Sequence, residues 1–137
     1  PQASEPADKK KELKKWILVV DDVAEQREVG VALLQALGYR AEAVASGEAA
    51  LEMIKNQPID LLLLDMVMDP GIDGLETYQR ALKIDPQLKA IIASGYTKSE
   101  RVEKALALGA SGFLRKPYRL GDLAKALSTA LKAPSDE

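Results

Sequence analysis

Short apolar runs alternate with helical patterns along this chain, and the runs begin near Trp16, Arg40, Ile59, Lys89 and Gly112. The run at residues 61–64 has no polar alternation, which is typical of a central strand covered on both faces, whereas residues 40–44 alternate like an edge strand. Strands that alternate with helices favour repeated βαβ units. The pattern therefore predicts an α/β fold, a doubly wound (βα)5 parallel sheet with helices on both faces.

Apolar residues at helical spacing predict the inward faces of five helices. In chain order these residues are Val29, Ala32, Leu33, Ala36 and Leu37; Ala50, Leu51 and Ile54; Leu75, Tyr78 and Leu82; Val102, Ala105 and Leu106; and Leu120, Leu123, Ala124, Leu127 and Leu131. Ser46 and Ser99 are expected N-caps, Gly38 and Gly109 are expected stops, and Pro58 ends the second helix because the residue before proline avoids helical geometry.

The length of 137 residues fits one domain. Residues 1–14 are lysine-rich without apolar periodicity and are expected to be a flexible lead-in, residues 15–132 the ordered domain, and residues 133–137 a C-terminal tail. The absence of an initiator Met suggests a chain processed or excised from something longer.

Composition excludes several classes of function. The net charge of -2 disfavours direct nucleic-acid binding, and the apolar stretches are too short for a membrane span. The absence of Cys removes disulfides and thiolate metal sites and suits a cytoplasmic location, whereas the absence of His removes imidazole catalysis, His-ligated zinc and a phosphohistidine donor role. Carboxylates, hydroxyls, lysine and a hard metal ion remain.

Polar residues follow four of the five predicted strands: Asp21 and Asp22, then Asp65, Ser94 and Lys116. Taken singly, the acids have capping or turn interpretations, Asp22 above all as a cap of the first helix, and the lysine has a solvated-surface interpretation. In a doubly wound sheet, however, the carboxyl ends of the strands share one edge, where ligands bind. The joint placement therefore predicts a functional site.

Two carboxylates about 5 Å apart repel by about 3 kcal/mol at an effective dielectric near 20, so the acids need a cation. Without His or Cys, oxygen-preferring Mg2+ is favoured. An aspartate poised at such a site can attack phosphorus and become an acyl phosphate, with Lys116 adding positive charge and Ser94 donating to a phosphoryl oxygen.

These residues resemble the motifs of the receiver domain of two-component response regulators, most closely receivers carried by hybrid sensor histidine kinases. The resemblance covers roughly residues 15–132 and implies a flavodoxin-like sheet with strand order 2-1-3-4-5. It also implies that Asp65 is the phosphoacceptor and that Mg2+ is held by Asp21, Asp22, Asp65 and the backbone carbonyl of Val67, with Asp22 the more direct ligand of the first pair.

The resemblance further implies that Ser94 and Phe113 form a switch and that the Lys116-Pro117 bond is cis. Phosphorylation would then reshape the face made by the fourth helix, fifth strand and fifth helix, where Arg115 and Tyr118 are expected exposed contacts.

The implied function is a phosphoacceptor in two-component or phosphorelay signalling. Its donor would be a sensor histidine kinase or histidine phosphotransfer protein, and its target a downstream output domain or protein. Such a domain is not an enzyme in the usual sense, because it catalyses only its own phosphorylation and slow dephosphorylation.

Two departures from the family pattern affect the site. The loop at residues 68–74 holds one more residue than the common Met-Pro-x-x-Asp-Gly pattern, which leaves its geometry open. Val67 and Tyr96 also occupy positions where many relatives carry polar side chains, so slow self-dephosphorylation is expected, because neither side chain orients an attacking water well.

Three alternatives stay open. A Mg2+-dependent aspartyl-nucleophile phosphohydrolase of the haloacid-dehalogenase type would need Asp-x-Asp and usually a cap insertion, whereas Asp21 and Asp22 are adjacent. A flavin or nucleotide binder would need a phosphate-cradling glycine loop that the chain lacks. A phosphorylation-independent receiver-like docking module would leave Asp65 unlabelled.

Overall fold

A computed structural model describes residues 14–68, 71–95 and 99–131. The expected lead-in, apart from Lys14, and the expected tail lie outside these residues. The described elements are, in chain order, β1 (Trp16–Val20), α1 (Ala24–Ala36), β2 (Arg40–Val44), α2 (Gly47–Asn56), β3 (Leu61–Asp65), α3 (Gly74–Ile84), β4 (Lys89–Ser94), α4 (Glu100–Ala107), β5 (Gly112–Arg115) and α5 (Leu120–Ala130). Among the helices so described, none is long and apolar enough to cross a membrane.

The strands form one parallel sheet in the order β2-β1-β3-β4-β5. The predicted fold class and strand order are therefore confirmed. One boundary differs, because β3 begins at Leu61 rather than near Ile59. Asp60 instead precedes the strand and accepts a hydrogen bond from the backbone N–H of Trp16 (2.8 Å), which ties the start of β1 to the approach to β3.

The two faces of the sheet carry two separate hydrophobic layers. Successive side chains of a strand point to opposite faces, so Leu61 and Leu63 pack with α1 and α5, while Leu62 and Leu64 pack with α2, α3 and α4. All four side chains are buried, which explains the unbroken leucine run. Burial of each leucine side chain stabilises the fold by about 1.5–3 kcal/mol. Because a one-residue slip would move every side chain to the other face, this burial fixes the register of β3 with its neighbours.

Most helix ends follow the predicted signals. The hydroxyl of Ser46 accepts a hydrogen bond from the backbone N–H of Ala49 (3.1 Å), and the hydroxyl of Ser99 accepts one from Val102 (3.3 Å). Gly38 and Gly109 follow α1 and α4 with φ of +94° and +117°. These values lie in the region that only glycine adopts readily, so both expected stops are confirmed.

The predicted inward face of α1 is confirmed only in part, because Leu33 and Leu37 are half-buried against the core layer but the other three residues are not. Val29 is 52% exposed and Ala32 and Ala36 are also exposed, whereas Gly30 and Leu34 are the buried residues of this helix. The reason is close packing against the sheet, because a Cβ at Gly30 would lie 3.3 Å from Cγ1 of Val19. A search for bulky apolar side chains overlooks a glycine that is buried for its small size.

Two further expectations about exposure are wrong. Leu120 begins α5 with 43% exposure instead of facing inward, so the buried stripe starts at Leu123. Tyr118 is half-buried and packs against the layer between the sheet and α5, whereas it was expected to be an exposed contact. Arg115 is exposed, as expected.

Candidate functional site

Three aspartates meet at the carboxyl edge of the sheet. Strand register places them there, because Val20 of β1 pairs with Leu64 of β3. Asp21 directly follows Val20, and Asp65 directly follows Leu64 as the last residue of β3. One carboxylate oxygen from each of Asp21, Asp22 and Asp65 lies within 4.8 Å of the others. Asp21 and Asp65 are buried and Asp22 is exposed, so the cluster opens to solvent on one side.

Lys116 enters the same cluster from the end of β5. Its Nζ lies 2.5 Å from Oδ2 of Asp21 and 3.3 Å from Oδ1 of Asp65. The backbone N–H of Lys116 donates to the carbonyl of Ser94 (2.7 Å), which continues the pairing of β5 with β4 beyond the last strand residue. The Lys116-Pro117 bond is cis, the form that the resemblance implies. The ammonium therefore bridges the two buried carboxylates.

Asp21 is held from two further directions. The backbone N–H of Val23 donates to its Oδ1 (3.0 Å), and the Arg27 guanidinium donates to its backbone carbonyl (2.9 Å). Val23 occupies the N-cap position of α1, so the capping interpretation of Asp22 is wrong for this position. Asp21 is thus oriented by protein groups, and the exposed Asp22 lies at the open side of the cluster.

Burial raises the pKa of Asp65 from 3.8 to about 6. The neighbouring Lys116 lowers the pKa of this carboxyl and Asp21 raises it, while the backbone N–H of Val67 donates to the carboxylate and lowers it. Burial, with Asp21 and Asp65 nearby, also raises the pKa of the Tyr118 phenol to about 12. The phenol therefore stays neutral, and the cluster disfavours further negative charge unless a cation joins it.

The remaining predicted residues lie around this centre. Ser94 is buried at the end of β4, and Phe113 is half-buried in β5, where it is paired in register with Ile92 and packs against the layer beneath α2, α3 and α4. Val67 is 54% exposed at the rim. Tyr96 lies outside the described residues. The structure thus brings together the acids and the lysine, with Ser94 in the strand next to β3.

The donor set fits a hard divalent cation. Three carboxylates and one ammonium leave two negative charges in excess within a few ångströms, and every candidate ligand atom is an oxygen. Mg2+ prefers such ligands and retains several waters, which the exposed side of Asp22 leaves room for. The backbone carbonyl of Val67 remains a proposed fourth ligand.

Gly74 is a site residue that the sequence revealed only as part of an Asp-Gly turn. A Cβ at this position would lie 2.5 Å from the backbone oxygen of Asp65 and 2.8 Å from Cα of Met66. The N–H of Gly74 donates to the carbonyl of Met66 (2.9 Å), and Asp73 caps α3 by accepting from the N–H of Glu76 (2.9 Å). The start of α3 therefore packs in direct contact with the backbone of Asp65 and Met66.

Comparison with known proteins agrees with this arrangement. The family model described as "Response regulator receiver domain" matches residues 17–128. The response regulator receiver protein CpdR of Brucella abortus is 34% identical over 119 residues, which cover 87% of this chain and 98% of CpdR. The transcriptional regulatory protein ZraR of Escherichia coli is 35% identical over 84% of this chain, and the sensor kinase CckA of Brucella abortus 34% identical over 85%.

The chain spans only 26% of ZraR and 12% of CckA, so receivers of this type occur both alone and within longer proteins. A solved structure described as the CheX-CheY-BeF3-Mg+2 complex from Borrelia burgdorferi superposes with a TM-score of 0.78 at 26% identity, covering 83% of this chain and 87% of that one. Fold, site geometry and matched length together show that the chain belongs to the response regulator receiver family of two-component signalling, whose members are signalling domains rather than enzymes in the usual sense.

Proposed function

We propose that this receiver accepts a phosphoryl group on Asp65 from a partner phosphohistidine in a Mg2+-dependent transfer. The observation that carries the proposal is the position of the Asp65 carboxylate, which lies 3.3 Å from the Lys116 ammonium and beside two further carboxylates at the sheet edge. A buried nucleophile with an adjacent fixed cation and an acidic metal site matches the needs of phosphoryl transfer, which depends mainly on positioning and charge neutralisation.

The chemistry follows from the side chains. An oxygen of Asp65 forms a bond to phosphorus while the P–N bond to the donor imidazole breaks, and its electron pair leaves with the imidazole. Lys116 places positive charge beside the incoming phosphoryl oxygens, and the hydroxyl of Ser94 donates to one of them. Asp21, Asp22, Asp65 and the Val67 carbonyl would hold Mg2+, which when bound neutralises charge on the carboxylates and the phosphoryl group.

The same residues support a switch. The hydroxyl of Ser94 moves toward the phosphoryl group, and Phe113, half-buried in the neighbouring strand, rotates into the space that opens. This repacking biases the face formed by α4, β5 and α5, where Arg115 is exposed. Couplings of about 1–3 kcal/mol are typical of such changes and are sufficient to alter partner affinity without refolding.

The proposed partners are a sensor histidine kinase or histidine phosphotransfer protein as donor and an output domain or protein as target. The structural relative from Borrelia burgdorferi was captured with CheX, BeF3 and Mg2+, which supports a protein partner and a Mg2+ site for the present chain. A cytoplasmic location stays a prediction.

Intact mass after incubation with Mg2+ and acetyl phosphate tests the proposal. Wild type is expected to gain the mass of one phosphoryl group, Asp65→Asn to gain none, and the control Asp85→Asn, which lies beyond α3 at the opposite sheet edge, to label like wild type. Omitting Mg2+ should abolish labelling. An unlabelled wild type with intact partner binding would favour the docking-module alternative, and catalytic turnover of small phosphate esters would favour the phosphohydrolase.

A long-lived acyl phosphate is also proposed. The aliphatic side chain of Val67 is 54% exposed at the rim and offers no group to orient an attacking water, and Tyr96 lies outside the described residues. Replacing Val67 with Asn is expected to shorten the phosphoryl half-life of isolated protein, measured by loss of the mass adduct after removal of the donor. A half-life of seconds in wild type would contradict the proposal.

A further inference from the structure

The loop between β3 and α3 is one residue longer than the common family pattern, and its described end touches the first turn of α2. Gly71 has φ of +109°, in the region that glycine favours. A Cβ at this position would lie 3.0 and 3.1 Å from the two carboxylate oxygens of Glu48. The N–H of the next residue, Ile72, donates to Oε2 of Glu48 (3.2 Å). The carboxylate therefore holds the described end of this loop at Gly71 and Ile72.

Glu48 is well placed to hold the loop because its own helix end is fixed. The side chain of Ser46 caps α2, and Gly47 is in such close contact with the loop and α3 that a Cβ there would lie 2.0 Å from Oγ1 of Thr77 and 2.7 Å from Cγ1 of Ile72. Thr77 is fully buried, and its hydroxyl donates to the carbonyl of Asp73 (2.7 Å). The start of α2 and the start of α3 are thus packed as one unit.

The restrained loop leads directly to the phosphoacceptor. Ile72 is followed by Asp73, which pairs with Arg101 of α4, and then by Gly74, which presses on the backbone of Asp65. The other end of the loop begins at Val67, whose N–H donates to the Asp65 carboxylate. A displacement at Ile72 is therefore transmitted through Asp73 to Gly74, which contacts the backbone of Asp65.

We propose that Glu48 is a positioning residue of the phosphoacceptor site, which holds Ile72 so that the adjoining start of α3 keeps the backbone of Asp65 in the geometry that Mg2+ binding requires. The inference rests on the proposed phosphoacceptor function. Glu48 does not touch the reacting atoms and acts through the Ile72 N–H. An acceptor oxygen at this position, rather than its negative charge alone, is the required feature.

Amide exchange in metal-free protein tests the contact itself. Glu48→Ala is expected to accelerate exchange of the Ile72 amide about threefold or more, because one hydrogen bond is lost, and Glu48→Gln is expected to restore most of the protection. Glu52→Ala is the matched control, because it removes the same group one turn further along α2, where the Glu52 carboxylate accepts a hydrogen bond from Asn56. Unchanged Ile72 exchange in Glu48→Ala would overturn the proposal.

Phosphorylation by acetyl phosphate at varied Mg2+ tests the consequence. Glu48→Ala is expected to raise the Mg2+ concentration for half-maximal rate about threefold with little change in the maximal rate, whereas Glu48→Gln and Glu52→Ala remain near wild type. If wild type is labelled and Glu48→Ala shows wild-type Mg2+ dependence, the inference fails. If wild type itself is never labelled, the proposed function fails.

Gly71→Ala provides a second route if Glu48→Ala folds poorly. Its methyl group would displace the Glu48 carboxylate from Ile72 and strain the backbone, so the same weakening of Mg2+ dependence is expected. Adding Glu48→Ala to Gly71→Ala should cause little further change in the half-maximal Mg2+ concentration, because the contact is already broken. Fully additive effects would contradict a shared cause.

Discussion

Replacing Gly74 with Ala perturbs the contact between the start of α3 and the strand end that carries Asp65. The new methyl group would lie 2.5 Å from the backbone oxygen of Asp65 and 2.8 Å from Cα of Met66. Both neighbours are backbone atoms in the middle of the molecule, so neither can rotate away as a flexible side chain would. Either α3 or the end of β3 must shift.

The expected cost follows from two opposing effects. Overpacking of this kind costs about 1–3 kcal/mol. Alanine in place of glycine in a helix returns up to about 1 kcal/mol, and less at the first helical residue. The free energy of unfolding should therefore fall by about 2 kcal/mol, which is about a 30-fold change in the folded-to-unfolded ratio.

Urea unfolding followed by tryptophan fluorescence measures this change, because Trp16 is the sole tryptophan of the chain and is 5% exposed. Gly121→Ala is the matched control. Gly121 also lies in the first turn of a helix, yet a Cβ there would meet nothing within 4 Å. The control should be unchanged or more stable by about 0.5 kcal/mol.

Equal unfolding midpoints for the two variants would refute the packing argument. The proposed function adds a second readout, because a shifted strand end displaces Asp65. Labelling of Gly74→Ala by acetyl phosphate should be slower than that of Gly121→Ala under conditions where both are folded.

Three further predictions concern charge and hydrogen bonding. Burial raises the pKa of Asp73, but hydrogen bonds from Arg101 and a backbone N–H outweigh it and hold the pKa below 3.8, so the ion pair stabilises the fold above that pH. Arg101→Ala should therefore lose about 0.5 kcal/mol at pH 7, and the gap to wild type in urea unfolding should close as the pH falls below 3.8. Mg2+ at 100 times its dissociation constant should stabilise wild type by about 2.7 kcal/mol, and thermal unfolding should show little such gain for Asp21→Asn. Ser94→Ala should slow labelling of Asp65 about tenfold and Ser94→Thr should restore it, whereas equal rates would remove the hydroxyl from the mechanism.

The residues whose burial differs from the sequence prediction have a common physical cause. Val29 and Leu120 are apolar yet exposed, because the sheet covers only one stripe of each helix. Gly30 is buried for the opposite reason, since its small size lets α1 approach Val19. Propensity and periodicity describe one element at a time and contain no information on which stripe finds a partner surface.

Patterns along the chain predict the fold class and the set of residues that meet at the sheet edge, and the family resemblance adds the strand order. The fold class and the site residues follow from local signals, because unbroken apolar runs, capping hydroxyls and strand-end acids are each visible within a few positions. The contacts that support the site are visible only in the folded protein. The bridge from Lys116 to both buried carboxylates, the contact of Gly74 with Asp65 and the hold of Glu48 on Ile72 join residues distant in the chain. Such contacts depend on the relative positions of packed elements to within a fraction of an ångström, and no pattern along one chain encodes those positions.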